Sequence, residues 1–298
     1  MTVSHLIAEI KMADEKNPFP GENNTGHIWD DNIREMANPI PRWWMIGFWA
    51  SIAWFVGYGI LYPFIPLVGE SSTKGILGWT QIGEYNEDLA KVTALRAPFE
   101  AKIEAMTPAE ILADDGLSGY AVASARVLFG DNCAACHGAG GQGGPGFPVL
   151  ADDDWLYGGS IGTIQQTLIN GRNGMMTAHG SKLSGDEIAT LAQHAVNLSQ
   201  GNPTEAGTQM FKDKYCFACH GADAKGVQAM GSANLTDAIW RFNEDDKLAS
   251  AVQTITHGVN YPLDPLTRVA QMPAFGKRLK DNDIKKLSVY VYKLGGGQ

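Results

Sequence analysis

The sequence predicts a mainly α-helical chain, with one N-terminal transmembrane helix followed by two small tandem helical domains. Three observations carry this reading. Residues 43–68 form a run of 26 positions without a charge. Two Cys-x-x-Cys-His runs stand 83 residues apart, beginning at 133 and 216. The helical pattern of residues 183–191 returns at 279–287, an offset of 96.

The run at 43–68, WWMIGFWASIAWFVGYGILYPFIPLV, exceeds the roughly 20 residues that cross a bilayer's hydrocarbon core. Trp43, Trp44, Tyr58 and Tyr62 stand where interfacial rings are found, Arg42 flanks the start, and Pro63 and Pro66 mark the exit. A cleaved signal peptide fits poorly, because the 42 preceding residues are too long and too acidic for its first region. Arg34 and Arg42 before the span and Lys74 after it leave orientation by charge undecided. The net charge of −9 disfavours nucleic acid as a partner, and no basic run offers a phosphate track.

The four cysteines all belong to the two runs. Cys133 and Cys136 precede His137, and Cys216 and Cys219 precede His220. This is the pattern of c-type haem attachment, in which two thioether bonds hold the porphyrin and the adjacent imidazole meets the iron. A zinc knuckle or a thioredoxin-like redox pair explains the following histidine poorly. Two covalently bound haem c groups are therefore expected, each in a class I cytochrome c domain. Such attachment is expected outside the cytoplasm of a bacterial inner membrane, which would leave the N-terminus cytoplasmic and the haem domains periplasmic.

The expected domains are a cytoplasmic segment 1–42, the span 43–68, a periplasmic connector 69–116, and cytochrome c domains 117–201 and 204–298. Gly201-Asn202-Pro203 is a turn-rich hinge. Within the connector a helix is expected over 84–113. It should break near Pro98 and restart at Thr107-Pro108, where Thr107 and Glu110 make a capping box. The connector reads as a spacer without chemistry of its own.

The sixth iron ligand in such domains is usually a methionine on the loop before the last helix. Met272, followed by Pro273, is the candidate in the second repeat, with Met230 a rival nearer the motif. The 96-residue offset aligns Met176 with Met272, so Met176 is expected to serve the first haem. Met175 and His179 are rivals in that loop, and Thr177 stands where the other repeat has Pro273. His194 and His257 are read as structural, Arg172 as a propionate partner or a solvated cation, and Trp155 and Trp240 as packing near the haem edges.

The stretch before the span carries a resemblance. Thr25-Gly26-His27-Ile28-Trp29-Asp30, Ile33-Arg34-Glu35 and Asn38-Pro39-Ile40-Pro41-Arg42-Trp43-Trp44 resemble the entry segment of the dihaem subunit III of cbb3-type cytochrome c oxidases, the FixP/CcoP family. Arg268-Val269-Ala270-Gln271-Met272-Pro273-Ala274-Phe275-Gly276 extends the likeness to the C-terminal part. Asp31-Asn32 and Thr177 depart from the pattern, and residues 1–24 have no counterpart in it. The resemblance implies an electron-transfer subunit without a catalytic site. It would accept electrons from a donor cytochrome c and relay them toward the oxidase's catalytic and monohaem subunits. An anchored dihaem shuttle and a dihaem peroxidase are the competing functions. The patterned segment 25–44 argues against a mere tether, and two methionine candidates argue against a peroxidase with an open iron. Residues 117–200 carry a net −3 and 204–298 a net +2. A basic donor is therefore expected near Asp152-Asp153-Asp154.

Overall fold

A computed structural model describes residues 19, 21–30, 32–66, 72–242 and 245–297. The end of the expected span at 67–68, Asp31, and residues 1–18 of the N-terminal segment lie outside the described residues. The chain is mainly α-helical and divides into two compact units, the second beginning at Thr93.

The first unit holds a hairpin and a long helix. Strand β1 (Asn24–Trp29) pairs antiparallel with β2 (Ile33–Met36), with Trp29 opposite Ile33. The sequence pattern predicts no strand here, yet the alternating burial of Asn24–Trp29 is the half-covered pattern of a hairpin. Asp30, at φ 47°, helps turn the chain, and Thr25 Oγ1 donates to Glu35 across the ladder at 3.1 Å. Helix α1 (Arg42–Leu61) follows and has no buried residue. Its 20 residues rise about 30 Å at about 1.5 Å each, the thickness of a hydrocarbon core. It ends just before Pro63. Trp43 and Trp54 are about three-quarters exposed, which leaves these rings for lipid.

Helix α2 (Gln81–Ala105) runs through Pro98 without the expected break. Tertiary contact offsets the lost backbone bond. Phe99 stacks on Tyr120 at 4.7 Å between ring centroids, and Ile103 is fully buried. The short helix α3 (Pro108–Ala113) starts on the expected capping box, with Thr107 and Glu110 exchanging bonds. Part of the expected spacer is packed rather than free: Ile103, Pro108 and Ile111 are buried, although most of residues 93–116 stay exposed. Ile103 and Ile111 join Leu117 and Ala121 of α4 (Asp115–Asn132) and Val289 of α11 (Asp281–Tyr292) in one buried cluster.

The remaining helices of the second unit are α5 (Ala134–His137), α6 (Ile161–Asn170), α7 (Gly185–Ser199), α8 (Glu205–Asp213), α9 (Phe217–His220) and α10 (Lys247–His257). Their packing crosses the repeats. The helix that closes the second repeat, α11, packs on α4 and α6 of the first repeat. The helix that closes the first repeat, α7, packs on α8 and α10 of the second. Ala125, Phe129, Ile164 and Leu168 therefore share a core with Leu287 and Tyr290, the Phe129 and Tyr290 rings lying 5.1 Å apart. Leu191 packs with Phe211, and His194 lies 6.0 Å from the Phe211 ring. The two crossings use the same pieces: a small residue and a phenylalanine on one helix, a leucine and a ring on the other. Gly207 supplies the small residue in the second crossing, because a Cβ there would run into the His194 ring.

The chain connections explain this exchange. After α6 the chain crosses and pairs with the end of α10: Met176 and Val259 exchange backbone bonds of 2.9 and 3.0 Å, and His179 N–H donates to Ile255 O at 3.0 Å. After α10 it crosses back to the end of α6. Arg172 and Met272 exchange bonds of 2.9 and 2.8 Å, and Phe275 N–H donates to Leu168 O at 2.9 Å. Gly171 and Gly258 make the crossings possible. Both have positive φ, 68° and 72°, and a Cβ on either would overlap the carbonyl of Met272 or Met176 respectively. One helix assembly is thus the contiguous stretch 176–257. The other is split, 93–170 with 272–297.

A polar clamp holds α2 to α11. Lys286, with only 7% of its side chain exposed, pairs with Glu100 at 2.8 Å and Asp283 at 2.9 Å. Glu100 also accepts from Tyr120 Oη at 2.6 Å and Asn282 Nδ2 at 3.1 Å. Burial pushes the Glu100 carboxyl up, but the hydrogen bonds from Lys286, Tyr120 and Asn282 win and hold it below its ordinary value. A carboxyl so depressed adds stability above its unfolded pKa and loses it as pH falls through the folded value. Glu100→Gln is expected to cost roughly 1–3 kcal/mol at pH 7. It should also flatten the acid limb of stability against pH, measured by denaturant unfolding. An unchanged acid limb would contradict this role.

Candidate haem-binding site

The two attachment motifs fold alike. Each begins at a helix end and closes in a single helical turn, α5 and α9, that carries the histidine. His137 Nδ1–H donates to Pro148 O at 3.1 Å, and His220 Nδ1–H donates to Ala233 O at 2.9 Å. A carbonyl only accepts, so Nδ1 carries the proton in both rings and Nε2 keeps a lone pair free for a metal. Burial pushes both imidazoles below their ordinary pKa, which favours the neutral, ligating form. Cys133 sits in the core beside Phe129, where burial pushes its thiol up to about 11, while Cys136 and Cys219 are exposed.

One continuous cavity of about 1430 Å³ runs past both motifs. Single-ligand pockets run to about 1,000 Å³, so this volume exceeds the need of one bound group. Cys136, His137, Cys216, Cys219, His220, Met176 and Met272 all line it. Free thiols of the attachment motifs, imidazoles with a free Nε2 and methionine sulfurs around a mostly apolar hollow fit a haem at each motif.

The sequence-expected ligands do not fall together repeat by repeat. Met272 packs against the cluster that contains Cys133. Met176 pairs with the segment after α10, whose Ile255 packs in the cluster beside Cys216. Of the rivals, Met175 and Met230 are more than half exposed, and His179 lies part-buried in the cavity wall. His194 is buried in the α7–α8 crossing, and His257 pairs with Asp264 at 3.0 Å. Arg172 lays its guanidinium over Tyr157, 4.4 Å from the ring centroid, and its Nε donates to Thr167 Oγ1 at 2.9 Å. Trp155 packs beside Leu150 and Leu294 and donates Nε1–H to Gly296 O. Trp240 lines the cavity and faces Lys247.

The acidic run is less open than its sequence suggests. Asp152 and Asp154 are part-buried, and burial first and Asp237 of the second repeat besides push the Asp154 carboxyl up. Arg241, which no motif or spacing marks in the sequence, lines the same cavity beside Asp154 and Tyr157.

Comparison with known families matches residues 21–69 to the N-terminal domain of cytochrome oxidase-cbb3, FixP. Residues 121–194 and 202–291 match cytochrome c oxidase, cbb3-type, subunit III. The chain belongs to this subunit III family. A cbb3-type cytochrome c oxidase subunit FixP of Azorhizobium caulinodans is 43% identical, with 93% of this chain and 94% of the relative covered. That of Bradyrhizobium diazoefficiens is 41% identical over 95% and 98% of the two chains. The subunit CcoP of Azospirillum brasilense is 39% identical over 95% and 99%. As a subunit III of the FixP/CcoP family, the chain is an accessory, membrane-anchored electron-transfer subunit of a cbb3-type oxidase, not its catalytic subunit. Haem c is the cofactor this membership implies.

Proposed function

We propose that this subunit III is a dihaem cytochrome c in which each haem is enclosed by parts of both repeats. The observation that carries it is the exchange of closing helices: α11 on α4, and α7 on α8. In a class I cytochrome c the helix before the motif crosses the helix after the methionine. Here those partners come from opposite repeats. The first lobe is then a split cytochrome, and the second a permuted one in which the methionine segment precedes the motif.

Cys133 and Cys136 hold the first haem and His137 gives it Nε2. Met272, from the other repeat, supplies the sulfur. Cys216, Cys219 and His220 hold the second, and Met176 caps it. This reverses the pairing that the repeat alignment suggests, in which Met176 serves the first motif and Met272 the second. Each haem so held supplies one-electron iron chemistry. With a histidine nitrogen and a methionine sulfur at each motif, the chain would offer each iron two protein ligands, and the largely apolar cavity shared by the two motifs would wall both groups. A donor cytochrome c delivers electrons, and the catalytic and monohaem subunits of the oxidase receive them. Helix α1 anchors the chain once in the inner membrane, with the N-terminus cytoplasmic and the haem lobes periplasmic.

An oxidase complex whose subunit III lacks all four attachment cysteines is the test. Oxidation of a c-type donor by that complex is expected to fall at least tenfold, with two covalent haems per chain missing from a haem-stained gel. Parent-rate oxidation by the same complex would contradict the relay.

A further inference from the structure

Arg241 lies in the loop between the second motif and α10, yet it meets the first motif. Its carbonyl accepts from Gly146 N–H at 3.1 Å, which pins this loop to the loop after His137. Its side chain is part-buried in the wall of the shared cavity. Burial holds its pKa below the ordinary guanidinium value. Among the described residues its side chain makes no hydrogen bond or ion pair, even with Asp154 nearby. A part-buried cation without a partner is costly, and a guanidinium fork is shaped for a carboxylate. The other arginine of this wall, Arg172, is engaged with Thr167 and Tyr157.

We propose that Arg241 binds a propionate carboxylate of the haem held by Cys133 and Cys136, across the seam between the lobes, and raises that haem's reduction potential. The inference rests on the dihaem reading above. A fixed positive charge beside a redox centre favours its reduced state, and a propionate left without its counter-charge favours the oxidised state. Both effects lower the potential when the charge is removed. A loop of the second lobe thereby sets the driving force between the two haems.

The test uses the full-length, detergent-extracted protein with Arg241→Gln and Arg241→Lys. Haems are counted as the pyridine haemochrome, and potentials are read by spectroscopic redox titration. Expected in Arg241→Gln are two haems per chain and one redox wave shifted to lower potential. That wave is the one that Met272→His also moves. Arg241→Lys keeps the charge and shifts the wave less. Loss of the first haem alone in Arg241→Gln, with its retention in Arg241→Lys, supports the assignment equally. Unchanged potentials, equal shifts of both waves, equal loss of both haems, or movement of the wave that responds to Met176→His would overturn it. One haem per chain in the parent protein would instead overturn the dihaem reading.

Discussion

Leu287→Ala is expected to cost about 2–5 kcal/mol of stability, the range for a fully buried leucine. It should also damage the haem site of the first motif although it lies in the second repeat. Leu287 has no exposed surface and packs among Ala125, Phe129, Ile164 and Ile284. Truncation leaves a cavity in the contact that holds α11 against α4, and a close-packed layer relaxes only partly around it. Tyr290 and Met272 are carried by the same returning segment, so loosening α11 loosens Met272, the sulfur ligand proposed above. Denaturant unfolding gives the stability, and the sulfur-to-iron charge-transfer band reports the ligand. Leu191→Ala, at the matching place in α7, should damage the second site instead. A Leu287→Ala chain that loses under about 1 kcal/mol, or that weakens only the second site, would contradict the packing argument.

Much of the fold was legible in the sequence because it rests on local chemistry. The uncharged run demanded a membrane helix, and the helix stops before Pro63. Thr107, Pro108 and Glu110 wrote a helix start that is present bond for bond. The two Cys-x-x-Cys-His motifs fold alike for a similarly local reason, each closing in one helical turn that carries its histidine. Pro98 misled because the helix through it is held by Phe99, Glu100 and Ile103, contacts with residues far along the chain. The hairpin at 24–36 leaves little mark in the sequence because its strands are only six and four residues long, too short for a clear alternation.

The exchange of helices was not legible by repeat alignment. Leu191 and His194 recur as Leu287 and Tyr290, so each closing helix carries the same apolar pattern and fits either partner. Similarity of sequence says which pieces are alike, not which of them touch. One signal was present. Five residues lead from Gly171 to Met176, but fourteen lead from Gly258 to Met272, so most of the second repeat's extra length falls on the return crossing. Arg241 was illegible for another reason: a loop arginine has no period or spacing to mark it, and only the folded chain brings it to the first motif.

The second large effect concerns the sulfur ligands. Met272→Ala is expected to empty one axial position and lower the potential of that haem steeply, because loss of the thioether removes the ligand that favours ferrous iron. Met176→Ala should do the same to the other. Both single changes remove one of two bands, so in the dihaem protein they do not reveal which motif each methionine serves. A chain with Cys216→Ala and Cys219→Ala retains covalent attachment only at Cys133 and Cys136, and in it the question has one answer. The decisive measurement is the sulfur-to-iron charge-transfer band of that single-haem chain. The band is expected to vanish with Met272→Ala and to persist with Met176→Ala. A band that persists with Met272→Ala and vanishes with Met176→Ala would mean that each repeat caps its own haem, and that the exchange of helices does not extend to the iron.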